Sequence, residues 1–138
     1  MSNVVFDSEV REDVALSPAR QAYQILHVAL TVTPIMAGLD KFVHFLTDWD
    51  MYLSPIVPRL LGIGAHTFMM GVGIVEVLAG LLVAAAPRLG AWVVAAWLCG
   101  IIVNLLTIPA FFDVALRDFG LALAAMALAR LSVDYSEI

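Results

Sequence analysis

An all-α integral membrane protein, a four-helix bundle running up-down-up-down with a short interfacial connector between helices 1 and 2, is the fold this sequence predicts. Three observations point there. Apolar residues make up 62% of the 138 residues, above the roughly 45–50% of an ordinary soluble domain. Mean hydropathy is +0.96, which leaves too little polar surface to coat a globule in water. The apolar residues also gather into four runs, each near the ~20 residues that cross a ~30 Å hydrocarbon core as a helix.

The elements follow in order. Ser17-Pro18 reads as an N-cap with proline at the first helical position, so the first helix begins ahead of its apolar run, which starts at Ala22. That run is free of formal charge to Leu39, and its helical reading continues to Leu46. Pro34 inside it is expected to kink the helix and free a carbonyl near residue 30. Thr47 to Leu61 holds Pro55, Pro58, Trp49 and Tyr52, the composition of a connector in the aromatic interfacial belt. Gly64–Ala86 is the second span, interrupted by His66 and Glu76, and Gly90–Ile108 is the third, without charge. Pro87-Arg88-Leu89-Gly90 reads as a tight turn between them, and Pro109 separates the third span from the fourth, Phe111–Leu131. The domain reading is an acidic N-terminal tail over 1–20, a four-helix transmembrane domain over 21–132 and a short C-terminal tail over 133–138.

Charge and cysteine content exclude several classes. A net charge of −5 argues against nucleic acid, which selects basic patches. The tail carries Asp7, Glu9, Glu12 and Asp13 against Arg11 and Arg20, unlike a secretory signal, which opens with a basic region. The lone Cys99 rules out an intrachain disulfide and a CxxC redox pair. No phosphate loop or nucleophile triad is present, and two scattered histidines, His44 and His66, do not make a metal site; none is expected. Counting Arg11, Arg20, Arg88 and Arg130 on the side of the termini against Arg59 as the clear loop charge opposite, the positive-inside rule places both termini in the cytoplasm.

The stretch "MAGLDKFVHF" (Met36–Phe45) raises the functional question, because it holds Lys41, the only lysine of the chain. With four alternating spans, one end of the bundle receives Asp40, Lys41 and His44 from the first helix and His66 from the second. Asn104 and Thr107 reach the same end from the third, and Asp113, Arg117 and Asp118 from the fourth. Charged groups inside membrane helices face the bundle interior and find partners. Asp40 with His44 and Asp113 with Arg117 are four apart and share a face, and Asp113 or Asp118 is the expected counter-ion of Lys41. The plainer alternative has Lys41 snorkelling to the headgroups while the acids cap the fourth helix. Glu76 lies at mid-span, where an acidic side chain costs about 3 kcal/mol. Flanked by Gly71, Gly73 and Gly80, it is expected to be a neutral carboxyl, facing the bundle and bonded to a group such as Thr31 or Thr33, or else a functional proton or ligand site.

"GLDKF" (Gly38–Phe42), "EVLAGLL" (Glu76–Leu82) and "RDFGLALAAMAL" (Arg117–Leu128), in this order and over about residues 22–131, resemble the DoxX-like family of small four-helix membrane proteins. The acidic tail and the Trp49 connector lie outside the resemblance. It implies a single four-helix domain in the bacterial inner membrane beside redox proteins, since members include a small subunit of a thiosulfate:quinone oxidoreductase. It points to Lys41 and Glu76 as the intramembrane polar positions and to Arg117 and Asp118 at the start of the fourth helix. Two roles follow. One is a small subunit stabilising a larger membrane redox or respiratory complex, the role preferred from sequence. The other is a quinone-linked oxidoreductase subunit with its own quinone or proton site. A small solute or ion transporter ranks third, because four helices without an inverted repeat make a small translocation unit. The expected partners are the lipid bilayer and a larger membrane complex or a second copy. Quinone is the one cofactor in view.

Overall fold

The computed structural model describes residues 17–108 and 110–136. Residues 1–16 of the acidic tail, Pro109 and the last two residues lie outside them. The described chain is helical: α1 (Pro18–Val43), a 3-10 turn (Trp49–Tyr52), α2 (Ile56–Leu61), α3 (Ala65–Ala85), α4 (Pro87–Leu106) and α5 (Phe112–Tyr135). The start of α1 follows its sequence signal, with the Ser17 Oγ accepting the Arg20 N–H at 3.2 Å and Pro18 opening the helix. Between α3 and α4, however, the Pro87–Gly90 segment is not a turn. Pro87 opens α4 at its first position, where the missing N–H is not needed, and Ala86 alone joins the two helices.

Three of the long helices, α1, α3 and α4, are long and apolar enough to cross a membrane. α5 spans 24 residues but carries Asp113, Arg117, Asp118, Arg130 and Asp134, which lower its apolar character at both ends. The fourth expected span is thus a helix of sufficient length whose composition does not by itself mark it as one.

The packing is led by glycine. α1 lies mainly on α3 and α4 mainly on α5, with further contacts between α3 and α4 and between α1 and α5. Along the first seam Gly38 meets Gly73 and Gly80 meets Thr31 and Ile35, so the two helices run antiparallel. A Cβ at Gly38 would lie 2.5 Å from the Gly73 carbonyl oxygen, and one at Gly73 would lie 2.6 Å from the Gly38 oxygen. Only glycine admits backbones at that separation, the small-residue contact common between membrane helices. The His27 Nε2 reaches the Val83 carbonyl at 2.9 Å lower on the same seam. Toward the chain termini the helices close on a core of Tyr23, Leu30, Val83, Ala91, Val94, Ala125, Leu128 and Ala129. Toward the connector a space opens between the helices, although within the α1–α3 pair Gly38 and Gly73 stay in backbone contact.

Candidate functional site

That space is a cavity of about 640 Å³, lined from all four long helices and from the connector. Its wall is mostly apolar, with Trp49, Tyr52, Phe68 and Trp97 supplying rings, and the polar groups on it include Lys41, Glu76, Asn104, Arg117 and Asp118. Such a volume, apolar with a few convergent polar groups, falls in the ~300–1,000 Å³ range of small-molecule sites.

Lys41 and Glu76 form its polar centre. The ammonium Nζ donates to Glu76 Oε2 at 2.8 Å, and the two side chains are 3% and 8% exposed. Side chains lean toward the N-terminus of their own helix. On antiparallel α1 and α3 this makes Lys41 and Glu76 lean toward each other, and the Gly38–Gly73 contact brings the helices close enough for the pair to meet. Lys41 Cβ sits against Gly73 itself. Neither the Asp113 or Asp118 partner nor a snorkelling lysine is found: Lys41 is 2% exposed and its ion pair is with Glu76. Glu76 correspondingly meets a lysine rather than Thr31 or Thr33. The cation that faces it comes from another helix, which spacing within its own helix does not reveal.

Above the ammonium lies Trp49, its ring centroid 3.9 Å from Lys41 Nζ, a cation–π contact within the usual ~6 Å limit. Asp40 holds that ring in place. Its Oδ2 accepts the Trp49 indole N–H at 2.7 Å, and its carboxylate also accepts the backbone N–H groups of Phe45 and Leu46 at 3.0 to 3.2 Å. The carboxylate therefore caps the chain reversal after α1 instead of pairing with His44. His44, in the left-handed region at φ 54°, ends the helix, and its ring turns toward Asp48, 3.4 Å away.

Asn104 fixes the connector from the other side. Its Oδ1 accepts the Ser54 N–H at 2.9 Å and its Nδ2 donates to the Tyr52 carbonyl at 2.6 Å. Tyr52 in turn packs on Phe111, ring centroids 4.7 Å apart. Arg117 and Asp118 line the cavity from α5. Asp113, at the exposed start of that helix, does not, and among the described residues no ion pair joins it to Arg117. His66 faces Asp50 at 3.2 Å, outside the cavity wall. The expected polar end thus divides in two: Lys41, Glu76, Asn104, Arg117 and Asp118 at the cavity, and His44 and His66 outside it, while Asp40 holds the Trp49 ring from behind.

Trp49 is the residue that sequence reasoning missed, since a tryptophan in a connector reads as an interfacial anchor. The available signal was its distance of nine residues from Asp40, short enough for a chain reversal to return the indole to the helix end.

Fold and site together define an all-helical protein with three helices apolar enough to span a membrane and a cavity between the helices with a buried ion pair on its wall. The chain matches no protein-family model, no curated protein and no solved structure.

Proposed function

We propose that this chain is a multi-pass membrane protein of the DoxX-like kind that binds a small, largely apolar molecule with hydrogen-bonding oxygens, of the quinone class, in the cavity between its helices. The observation that carries the reading is the placement of the Lys41–Glu76 pair on the wall of an otherwise apolar cavity of about 640 Å³. An ammonium has three donors. One serves Glu76, and a ligand carbonyl is the natural acceptor for another, while the Trp49, Tyr52 and Trp97 rings suit a flat conjugated head.

In this reading all four long helices span the bacterial inner membrane, up-down-up-down. At about 1.5 Å per residue α5 is long enough, and its charges lie in its first two turns and its last two. Both termini face the cytoplasm and the connector faces outward. Labelling in intact cells of cysteines placed at Ser2 and at exposed Arg59 tests the orientation: the Arg59 position alone is expected to react from outside.

Binding is tested by mild-detergent purification, extraction of bound lipophilic molecules and titration with a short-chain quinone followed by tryptophan quenching. A near-stoichiometric extracted quinone and saturable quenching, lost in Ala37→Phe, which fills the cavity from α1, are the expected results. Absence of both would refute the reading. A large protein co-purifying in fixed ratio, with no small molecule, would instead establish the accessory role in a redox complex that the resemblance implies.

A further inference from the structure

Outside the cavity wall, a second group of side chains gathers where the connector meets the ends of two helices. His44 closes α1, Asp50 lies in the Trp49–Tyr52 turn and His66 is in the first turn of α3. One ligand atom from each lies within 4.8 Å of the others, and the two imidazole rings are 5.2 Å apart, tilted by 35°. We infer that His44, His66 and Asp50 form a binding site for a divalent transition-metal ion that ties the Trp49 turn to α1 and α3.

Two independent features favour a cation over a set of ordinary surface contacts. The first is unmet bonding capacity. Of the four solvent-shielded side-chain atoms without a hydrogen-bond partner among the described residues, two, His44 Nε2 and Asp50 Oδ1, belong to this cluster. Both can offer a lone pair. The second is the orientation of His44. Its Nδ1 faces the Asp48 carboxylate at 3.4 Å, which favours the proton on Nδ1 and leaves Nε2 as the donor of electrons. A carboxylate behind one nitrogen of a histidine that ligates through the other is a common arrangement at a bound metal, and the exposed Asp48 stands in that position beside His44. Asp48 is itself placed, its Oδ1 accepting the Asp50 N–H at 3.2 Å.

The donor set specifies the class of ion. Two imidazoles and one carboxylate suit zinc and its first-row neighbours, whereas calcium and magnesium prefer oxygen alone. Metal–ligand bonds of about 2.0–2.2 Å require the three groups to draw together. His66 and Asp50 retain solvent exposure, and modest rotations of their side chains suffice. Three protein ligands leave the remaining coordination to water. The neighbour of Asp50 is Trp49, whose ring lies over Lys41, so an ion here would fix the turn that carries that ring.

The full chain in detergent, treated with a chelator and then titrated with Co²⁺, provides the test. Saturation at one equivalent with visible d–d absorption, reversed by Zn²⁺, is expected. His66→Gln and His44→Asn are each expected to weaken binding at least about tenfold. Asparagine tolerates the left-handed backbone at position 44, and exposed His66 carries the test should His44→Asn fail to fold. His27→Gln, remote on the α1–α3 seam, is expected to leave binding unchanged. Absence of saturable binding, or binding undiminished in His66→Gln, would overturn the site.

Discussion

The two ends of this helical protein are built from the same helices and solve opposite problems. Toward the termini, small residues face one another. Ala91, Ala95, Ala125 and Ala129 are almost completely buried, and a Cβ added to Gly90 would lie 2.5 Å from the Val83 backbone nitrogen. There the backbones approach until no space remains, and the Arg20 guanidinium closes the end between the Tyr23 and Tyr135 rings while donating to the Tyr135 carbonyl. Toward the connector α1 and α3 still touch through Gly38 and Gly73, but larger and polar residues from all four long helices line a cavity there. The lesson is that close packing through alanine and Gly90 at one end, with the Gly38–Gly73 contact at the other, lets the molecule carry a buried ion pair beside a cavity.

The largest expected effect comes from the ion pair. Lys41→Met leaves Glu76 buried without its counter-charge, and breaking such a pair costs about 3–5 kcal/mol. Denaturant titration of helicity in detergent is the measurement. The double variant Lys41→Met with Glu76→Leu should recover most of that loss, since a buried pair replaced by apolar groups is often neutral. If the double variant is no better than the single one, the pair does not act as a unit.

Next is Gly90→Ala at the packed end, expected to cost about 1–3 kcal/mol through forced separation of α3 and α4. The same addition at Gly100, whose added Cβ meets nothing within 4 Å, should be neutral or slightly stabilising, because alanine is the better helix former. Equal effects at both positions would erase the contrast between dense and open regions.

Asn104→Ala removes both bonds to the connector and leaves the Ser54 N–H and the Tyr52 carbonyl in search of partners. A loss of about 1–3 kcal/mol is expected, together with faster proteolysis of the 47–61 segment. A connector that stays protected would show that Asp40 and Trp49 suffice to hold it. The smallest effect is expected for Ala37→Leu, which enlarges a side chain on the cavity wall. It should change stability by less than about 1 kcal/mol, whereas Ala125→Leu at the packed end should cost about 1–3 kcal/mol. The two variants compared directly measure how unequal the ends are.

Much of this was legible in the sequence. The start of the first helix followed from a local signal, Ser17 with Pro18, and the apolar runs marked the helices, but the turn expected at Pro87–Gly90 is the first turn of α4 and α1 ends at Val43 rather than Leu46. Lys41 and Glu76 stood out because ionisable groups are costly within apolar runs, whatever lies around them. Their partnership was not legible. Spacing within one helix reveals only neighbours on that helix, and it suggested Asp40 with His44 and Asp113 with Arg117, neither of which pairs. Which face of α1 turns to which face of α3 depends on the rotation of each helix, set here by the contact of Gly38 with Gly73. That contact, and the chain reversal that carries Trp49 back over Lys41, join residues 35 and 8 positions apart through packing alone. The sequence by itself determined that polar groups collect at one end of an apolar helical protein. Tertiary structure decided that they divide into a buried pair at a cavity and a histidine–aspartate cluster outside it, because side-chain partnership is a property of helix surfaces in contact, and a linear pattern contains only one surface at a time.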